Sequence, residues 1–259
     1  MTYGAYRTGG STLTERALRE EFVRIGQLMH TSGYVTATDG NISARLDADH
    51  FLATPSGLSK GFMAADQMVV IGWDGKPVGS SRYGAARDLK PSSEILLHLE
   101  AYRQRPDIRA LVHAHPPIAV ALSIAGVPIA PCLLPEVIVT LGTIPTTAYA
   151  TPASPEGATV IRDLIANHDA VMLARHGSVT VGVTPFDAYL KLEKLEHAAD
   201  ITFKLLQIGR ELPFPAGAVE KLIGKREEAG LMLPGQREEL ERTCGVCQLS
   251  SRCPAPQKG

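Results

Sequence analysis

Apolar residues recur at helical spacing in two long stretches of the chain. Residues 14 to about 31 carry them three and four positions apart, which predicts an amphipathic helix. A second long helix is predicted from Thr184 to about Gly209, because threonine is a good N-cap and Pro185 stands at the favoured first helical position. Both helices are expected to bury one face against the rest of the protein.

Shorter apolar stretches, bounded by glycine, proline and aspartate, predict strands. The predicted strand-containing segments are 34–46, 50–57, 68–79, 108–115, 133–149 and 170–182, and the first and last of these read as strand–turn–strand. Further helices are predicted at 91–105, with a serine N-cap, at 118–125 and at about 154–167. This irregular alternation favours a mixed α/β sandwich over a doubly wound parallel sheet.

Neither an internal repeat nor a change in composition divides the 259 residues. We therefore expect one main domain over residues 1–212 and a C-terminal extension over 213–259, which begins helical and ends in a loose tail. The residues before the first helix are predicted to be a loose leader, and the polar stretch 80–89 is predicted to be a loop.

Charge and hydropathy exclude several kinds of partner. The formal net charge is −1, so no bulk positive field draws nucleic acid or an anionic membrane. No window approaches the roughly 18 consecutive apolar residues of a transmembrane helix. The N-terminus lacks the apolar core of a signal peptide, and we expect a cytoplasmic protein.

The four cysteines do not suggest a disulfide framework. Cys244, Cys247 and Cys253 crowd near the C-terminus, and Cys132 stands alone. A framework would spread them through the chain, so no oxidising compartment is inferred. Three thiolates are one ligand short of a closed structural zinc site, which favours a loose tail.

Two histidines at the end of an apolar strand are the strongest local sign of chemistry. His113 and His115 stand at positions i and i+2, so their rings share one face of the predicted strand and can chelate one divalent metal. A third ligand is suggested by His176, which lies at a hairpin turn after another apolar strand. The alternative is a strand end with solvated histidine rings.

Glu94 is the candidate acid–base residue, because it stands at a helix start just after two serines. Beside a metal, burial and the cation would tune its pKa for proton transfer. The alternative is that it only supports the positive end of the helix dipole.

Three polar segments are candidates for holding an anion, since glycines let the backbone approach and hydroxyls and N–H groups donate. They are Thr38-Asp39-Gly40-Asn41, Thr54-Pro55-Ser56-Gly57 and Ser92-Ser93. For any one segment, ordinary turn and cap chemistry is the simpler explanation.

The order of these segments resembles the class II aldolase/adducin family, and within it the L-fuculose-phosphate aldolases. In order they read TDGNISAR, TPSGLSKG, KPSSEILLH, VHAHPP, LPEVIVTLG and LARHGSVTVG, within a resemblance that spans about residues 15–210. No single motif is decisive, but the ordered set is specific.

The resemblance implies a three-layer αβα sandwich around a mostly antiparallel sheet, assembled as a homotetramer. It implies Zn2+, or else Mn2+ or Co2+, on His113, His115 and His176, with Glu94 as the catalytic residue. It also implies a substrate phosphate held by residues of the polar segments, namely Thr38, Gly40, Asn41, Ser56, Gly57, Ser92 and Ser93.

The reaction implied is reversible cleavage of a ketose 1-phosphate to dihydroxyacetone phosphate and a small aldehyde, through an enediolate that the metal stabilises. The sequence departs from the fuculose enzymes near Leu134, where a tyrosine donated by a neighbouring subunit is expected and none is present. Instead it offers Glu136, which resembles the catalytic glutamate of dehydratases with this fold and is a second catalytic candidate.

Two alternatives therefore stay open. One is a decarboxylase or dehydratase of a sugar-acid or sugar phosphate. A decarboxylase would need a cation for the substrate carboxylate, for which the candidates are Lys60, Arg87, Lys90 and Arg175. The other is a non-enzymatic role like that of the adducin head domain, against which the intact histidines and Glu94 argue.

Overall fold

The computed structural model describes residues 13–78, 88–215 and 217–244. Within these residues, six strands form one sheet in the order β3-β2-β1-β4-β6-β5, and each neighbouring pair is antiparallel. The strands are β1 (Asn41–Arg45), β2 (Phe51–Ala53), β3 (Val69–Ile71), β4 (Ala110–Ala114), β5 (Ala170–Leu173) and β6 (Gly177–Gly182). No described helix is both long and apolar enough to cross a bilayer.

The helices are α1 (Glu15–Thr31), α2 (Ile95–Gln104), α3 (Pro117–Ile124), α4 (Pro135–Thr140), α5 (Pro155–Thr159), α6 (Arg162–Ile165), α7 (Pro185–Ile208), α8 (Ala218–Glu228) and α9 (Gln236–Cys244). The two long helices begin as predicted, since the Thr14 and Thr184 hydroxyls each accept a hydrogen bond from a first-turn N–H. Gly209 ends α7 in the left-handed conformation that glycine favours.

The sheet separates two layers of helices. On one face, Ile42 of β1 and Val112 of β4 pack with α1 and α7. On the other face, Leu111 of β4 and Val179 of β6 pack with α2 and α6. Because alternate strand residues point to opposite faces, this division makes a three-layer αβα sandwich, as the sequence predicted.

Several local predictions were wrong. Residues 34–40 contain a bend at Tyr34 and a turn at Ala37-Thr38 instead of a strand, and the chain enters the sheet only at Asn41. The segment 133–149 contains α4 and one isolated bridge at Thr146 instead of short strands. The helix expected at 154–167 is split into α5 and α6. Glu94, not a serine, occupies the N-cap position of α2.

The two C-terminal helices pack on α4. Ile138 of α4, Ile223 of α8 and Leu240 of α9 share one buried cluster. Cys244 at the end of α9 forms a disulfide with Cys132, so this cysteine belongs to an ordered helix and not to a loose tail. The sequence missed this pair because the two cysteines lie 112 residues apart. The division of the chain at residue 212 stays a prediction.

Some predictions concern residues that the structure does not describe. The leader before residue 13, most of the predicted loop at 80–89, and both Cys247 and Cys253 lie outside the described ranges.

Arg226 of α8 provides a test of this packing. It is fully buried and donates to the Val139 carbonyl oxygen at 2.8 Å and to Gln236 Oε1 at 2.7 Å. We expect Arg226→Met to lower the free energy of unfolding by roughly 1–3 kcal/mol, because these buried acceptors lose a charged donor. Urea denaturation would measure it. Arg242→Met on the exposed surface of α9 is the control. Equal losses of unfolding free energy in the two variants would contradict a special role for the buried Arg226.

Candidate metal centre

Three histidine rings meet at one edge of the sheet. His113 lies on β4, His115 follows the strand end, and His176 lies in the turn between β5 and β6. The Nε2 atoms of His113 and His115 are 3.0 Å apart, and the centroids of the His115 and His176 rings are 4.8 Å apart. With Glu94 they form a group in which one potential ligand atom from each residue lies within 4.8 Å of the others.

The hydrogen bond of His113 sets the orientation of its ring. Its Nδ1 lies 2.9 Å from the carbonyl oxygen of Ser178. A carbonyl only accepts, so Nδ1 carries a proton and Nε2 is the ring nitrogen that faces the cluster. His115 has its Nδ1 3.6 Å from a carboxylate oxygen of Asp39, which leaves its Nε2 on the inner side.

Two of these rings are held neutral, as a metal ligand must be. Burial and, after it, the nearby His113 and His176 lower the pKa of His115 to about 3. Burial and His113 also lower the pKa of His176. Both shifts favour the neutral ring, in which one nitrogen keeps the lone pair that a metal needs.

Gly177 allows the close approach of the third histidine. A Cβ atom at this position would collide with the Ala114 carbonyl oxygen and lie 2.7 Å from Cδ2 of His115. The preceding turn is also constrained, since Arg175 adopts a left-handed φ of 62° and its N–H donates to Ser123 Oγ at 2.8 Å. A glycine after His176 is thus required by packing between β4 and β6.

Glu94 faces the three histidines from the N-terminus of α2. Its carboxylate lies 3.0 Å from Nε2 of His113 and 3.5 Å from Nε2 of His176, and it accepts a hydrogen bond of 3.3 Å from the amide of Asn41. Burial alone would raise its pKa, but the charges and hydrogen bonds of these neighbours outweigh burial and hold the pKa well below its usual range. Glu94 is therefore an anion at neutral pH.

A buried chain of side-chain hydrogen bonds holds Glu94 in place. The Asn41 amide donates to Glu94, so its oxygen accepts from His98 Nε2. His98 Nδ1 then accepts from Ser43 Oγ at 2.7 Å, and Ser43 Oγ accepts from Tyr102 at 2.9 Å. Every proton in this chain has one acceptor, which fixes the orientation of the Asn41 amide.

These hydrogen bonds were not predicted from the sequence, although a signal was present. Glu94, His98 and Tyr102 are spaced i, i+4, i+8 on α2, and Asn41 and Ser43 are spaced i, i+2 on β1. Polar residues at these spacings share one face of each element, and both faces point into the protein. A polar stripe on an otherwise apolar face indicates a buried network.

The donor set fits a divalent transition metal. Imidazole nitrogens and a carboxylate oxygen are the ligands that zinc prefers, and three histidines leave a coordination position for a substrate. His113, His115 and His176 would hold the ion. The same donors also suit Mn2+ or Co2+, so the identity of the metal stays a prediction.

The three predicted anion-binding segments meet beside these histidines. The N–H of Ser56 donates to the Lys90 carbonyl at 2.8 Å, and the N–H of Ser92 donates to the Thr54 carbonyl at 3.2 Å. These bonds join the second segment to the third. Thr54 also connects the second segment to the end of the first. Its hydroxyl accepts from the N–H of Ile42, which directly follows Asn41, at 3.1 Å.

The outward-facing parts of these segments are available to a ligand. Thr38, Ser56, Gly57 and Ser93 are exposed, whereas Asn41 is buried and its side chain serves Glu94 and His98. Gly40 takes a φ of 70°, and a Cβ there would lie 2.9 Å from the His113 carbonyl oxygen. We call the exposed parts of the segments 38–41, 56–57 and 92–93 the anion cradle.

Other predicted residues are not among the four potential ligands. Glu136 is exposed in the first turn of α4 and does not belong to the group of four potential ligands. Among the candidate cations, the guanidinium of Arg175 lies 3.5 Å from the Ile124 carbonyl, and Lys90 is exposed. Arg87 lies outside the described residues.

The fold and this cluster define a class of protein, and comparison with known proteins confirms it. Residues 20–203 match the family model for the class II aldolase and adducin N-terminal domain, so the chain belongs to that family.

Its relatives include enzymes of two kinds. The chain is 32% identical over 195 residues to the 3-oxo-tetronate 4-phosphate decarboxylase of Escherichia coli K12, covering 74% of this chain and 88% of that protein. It is 33% identical over 186 residues to the L-fuculose phosphate aldolase of Methanocaldococcus jannaschii, covering 71% and 94%. A crystal structure of L-fuculose-1-phosphate aldolase from Thermus thermophilus superposes with a TM-score of 0.64 at 30% identity, covering 76% of this chain and 98% of that one.

Gly177→Ala tests the packing of the cluster. The added methyl group would push β4 and the histidine rings apart, and we expect zinc affinity to fall by about 10–100-fold, as for other changes behind metal ligands. Competition with a chromophoric chelator would measure it. Gly224→Ala on α8, where a Cβ meets nothing within 4 Å, is the matched control. Unchanged zinc affinity in Gly177→Ala would contradict the proposed geometry.

His98 gives a pH-dependent prediction for the metal-free protein. Burial, reinforced by His113, lowers its pKa from 6.5 to about 3. Between these values the unfolded chain binds a proton that the folded protein does not. The contribution of His98 to stability is therefore complete above pH 6.5 and falls on acidification, by up to about 1.4 kcal/mol per pH unit.

Urea denaturation of the chelator-treated protein between about pH 7 and pH 5 would measure this slope. We expect the free energy of unfolding to depend less steeply on pH in His98→Gln, because this variant lacks the titration of His98. The neighbouring titrating groups are common to both proteins and contribute equally. Parallel curves for the two proteins would show that His98 is not held neutral.

Proposed function

We propose that this protein is a metal-dependent lyase that breaks a carbon–carbon bond in a small phosphorylated sugar or sugar acid. The observation that carries the proposal is the convergence of three imidazoles and Glu94 beside the anion cradle. A metal bound by the histidines would act as a Lewis acid at the reacting carbonyl group.

The residues of the chain divide the remaining work. The exposed donors of the anion cradle would hold the phosphate and so place the reacting carbon near Glu94. Glu94 is the group positioned to move a proton at that carbon, with Asn41 fixing the carboxylate. The buried chain from Asn41 to Tyr102 keeps Glu94 in place without taking part in the reaction.

Decarboxylation of a 3-oxo acid phosphate is the reaction we favour. When carbon dioxide leaves, the bonding electron pair stays on the neighbouring carbon, which then takes up one proton. The leaving carboxylate is already deprotonated, so the one proton required comes from solvent, and Glu94, an anion at neutral pH, would take it up and pass it to the carbon. The similarity to 3-oxo-tetronate 4-phosphate decarboxylase supports this choice.

Aldol cleavage of a ketose 1-phosphate is the second candidate. It requires two proton transfers, because a hydroxyl loses its proton as the aldehyde leaves and the remaining carbon gains one. An ionised Glu94 could serve both in turn, taking the hydroxyl proton and then giving it to the carbon, or Asp39, 3.6 Å from His115, or Glu136 could serve one of them. The similarity to L-fuculose phosphate aldolases supports this candidate.

The remaining expectations stay proposals. They are a homotetrameric assembly, a cytoplasmic location, and a catalytic role for Glu136, which the resemblance suggested. Glu136 is exposed, so a role in catalysis would require a ligand or another subunit to approach α4.

A product assay would test the proposal and separate the two reactions. Zinc-loaded protein would be given a 3-oxo-tetronate 4-phosphate, with carbon dioxide release measured, and separately L-fuculose 1-phosphate, with dihydroxyacetone phosphate measured. Chelator-sensitive release of carbon dioxide supports decarboxylation, and chelator-sensitive triose phosphate supports aldol cleavage. Neither product from metal-replete protein would contradict both.

Two variants would separate metal binding from proton transfer. His113→Ala should lose both bound metal and turnover, because a ligand is gone. Glu94→Gln should keep the metal and lose turnover by about 10²–10⁴-fold, the usual contribution of a general acid or base. Glu136→Gln is the matched carboxylate control in the decarboxylation assay. Full activity in Glu94→Gln would remove Glu94 from the mechanism.

A further inference from the structure

We propose that Lys60 is a positioning residue that braces two loops of the anion cradle from behind and thereby sets the affinity for the substrate phosphate. This inference rests on the proposed function, in which the cradle holds a phosphate. Lys60 is only 2% exposed. Its ammonium donates to the Thr38 carbonyl at 2.8 Å and to the Leu58 carbonyl at 2.6 Å.

These two carbonyls belong to different segments of the cradle. Thr38 opens the first segment, and Leu58 directly follows Gly57, which ends the second. One ammonium therefore ties together loops that lie 20 positions apart in sequence. With their carbonyls held inward, the exposed Thr38, Ser56 and Gly57 are left on the outer side of the same loops.

The fold brings Lys60 into this place through a close helix contact. Lys60 begins a short 3-10 turn, Lys60–Phe62, that packs on α1. A Cβ at Gly26 of α1 would collide with the Lys60 carbonyl oxygen, so a glycine is required for this approach. The backbone of Lys60 is thus fixed by α1, and its side chain reaches from that support to the cradle.

The chemistry of Lys60 suits an anion site more than an ordinary core position. A buried ammonium without a carboxylate ion pair is costly, and burial lowers the pKa of Lys60 to about 8, against the opposing effect of Asp39. Two carbonyl acceptors offset part of the desolvation, and Asp39, which forms no ion pair with Lys60, offsets only part of the charge. A phosphate on the other side of the same loops would supply the missing negative charge.

Lys191 offers a matched comparison within the same chain. Its ammonium is also largely buried, with 12% of the side chain exposed, and it donates to the Val181 carbonyl at 2.8 Å. It differs in having a carboxylate partner, Asp169, at 2.9 Å. Lys191 therefore serves as a buried, carbonyl-bound lysine with a purely structural role.

The test compares Lys60→Met with Lys191→Met in zinc-loaded protein. Inorganic phosphate is the probe, and its dissociation constant would be measured by calorimetry beside zinc content and, with the active substrate, KM and kcat. For Lys60→Met we expect phosphate affinity to fall and KM to rise by about tenfold or more, since charged donors contribute strongly. We expect zinc content to stay the same and kcat to change much less than KM.

Lys191→Met should lose stability while phosphate affinity stays at the wild-type level. If Lys60→Met does not fold, Lys60→Gln, which keeps a donor but no charge, should show the same selective loss of phosphate affinity. Wild-type phosphate affinity in either Lys60 variant would overturn the inference, as would equal losses of phosphate and zinc. Failure of wild-type protein both to bind phosphate and to turn over substrate would instead overturn the proposed function itself.

Discussion

The pairing of β4 with β1 and β6 is the constraint on which the rest of the structure depends. In this register Asn41, His113 and Val179 stand side by side across three strands. A slip of one residue would turn His113 and His115 together toward the opposite face and separate them from Glu94 and Asn41. In the observed register Leu111 and Val112 pack against different helix layers, and a slip would exchange them and disturb both cores.

Burial of a carboxylate beside three imidazoles is acceptable only because its surroundings are arranged in advance. Glu94 has Asn41 as a fixed donor, and Asn41 is itself held by His98. A low local dielectric strengthens each bond of this chain and makes any unpaired member costly. The same principle applies to Lys60, whose charge is buried against carbonyl oxygens at the neighbouring cradle.

One scaffold can therefore support more than one reaction. Metal ligands, a phosphate site and one proton-transfer group are common to decarboxylation and aldol cleavage. The reactions differ in the bond that breaks and in the number of proton transfers, so a side chain near the histidines such as Asp39 can influence which of them occurs. Family membership is decided by the shared parts, whereas the reaction depends on the residues around them.

The sequence by itself determined the elements with strong local patterns and the residue types of the centre. It predicted α1, α7, β4, the β5–β6 hairpin, and the convergence of His113, His115 and His176, because periodicity and i, i+2 spacing act over short distances. The irregular stretch 34–40 and the helix α4 were mispredicted, since tertiary packing overrode weak local preference there. Only the tertiary structure decided that His98 supports Glu94, that Lys60 ties Thr38 to Leu58, and that Cys132 pairs with Cys244. Each of these depends on which distant elements pack together, and no local pattern carries that information.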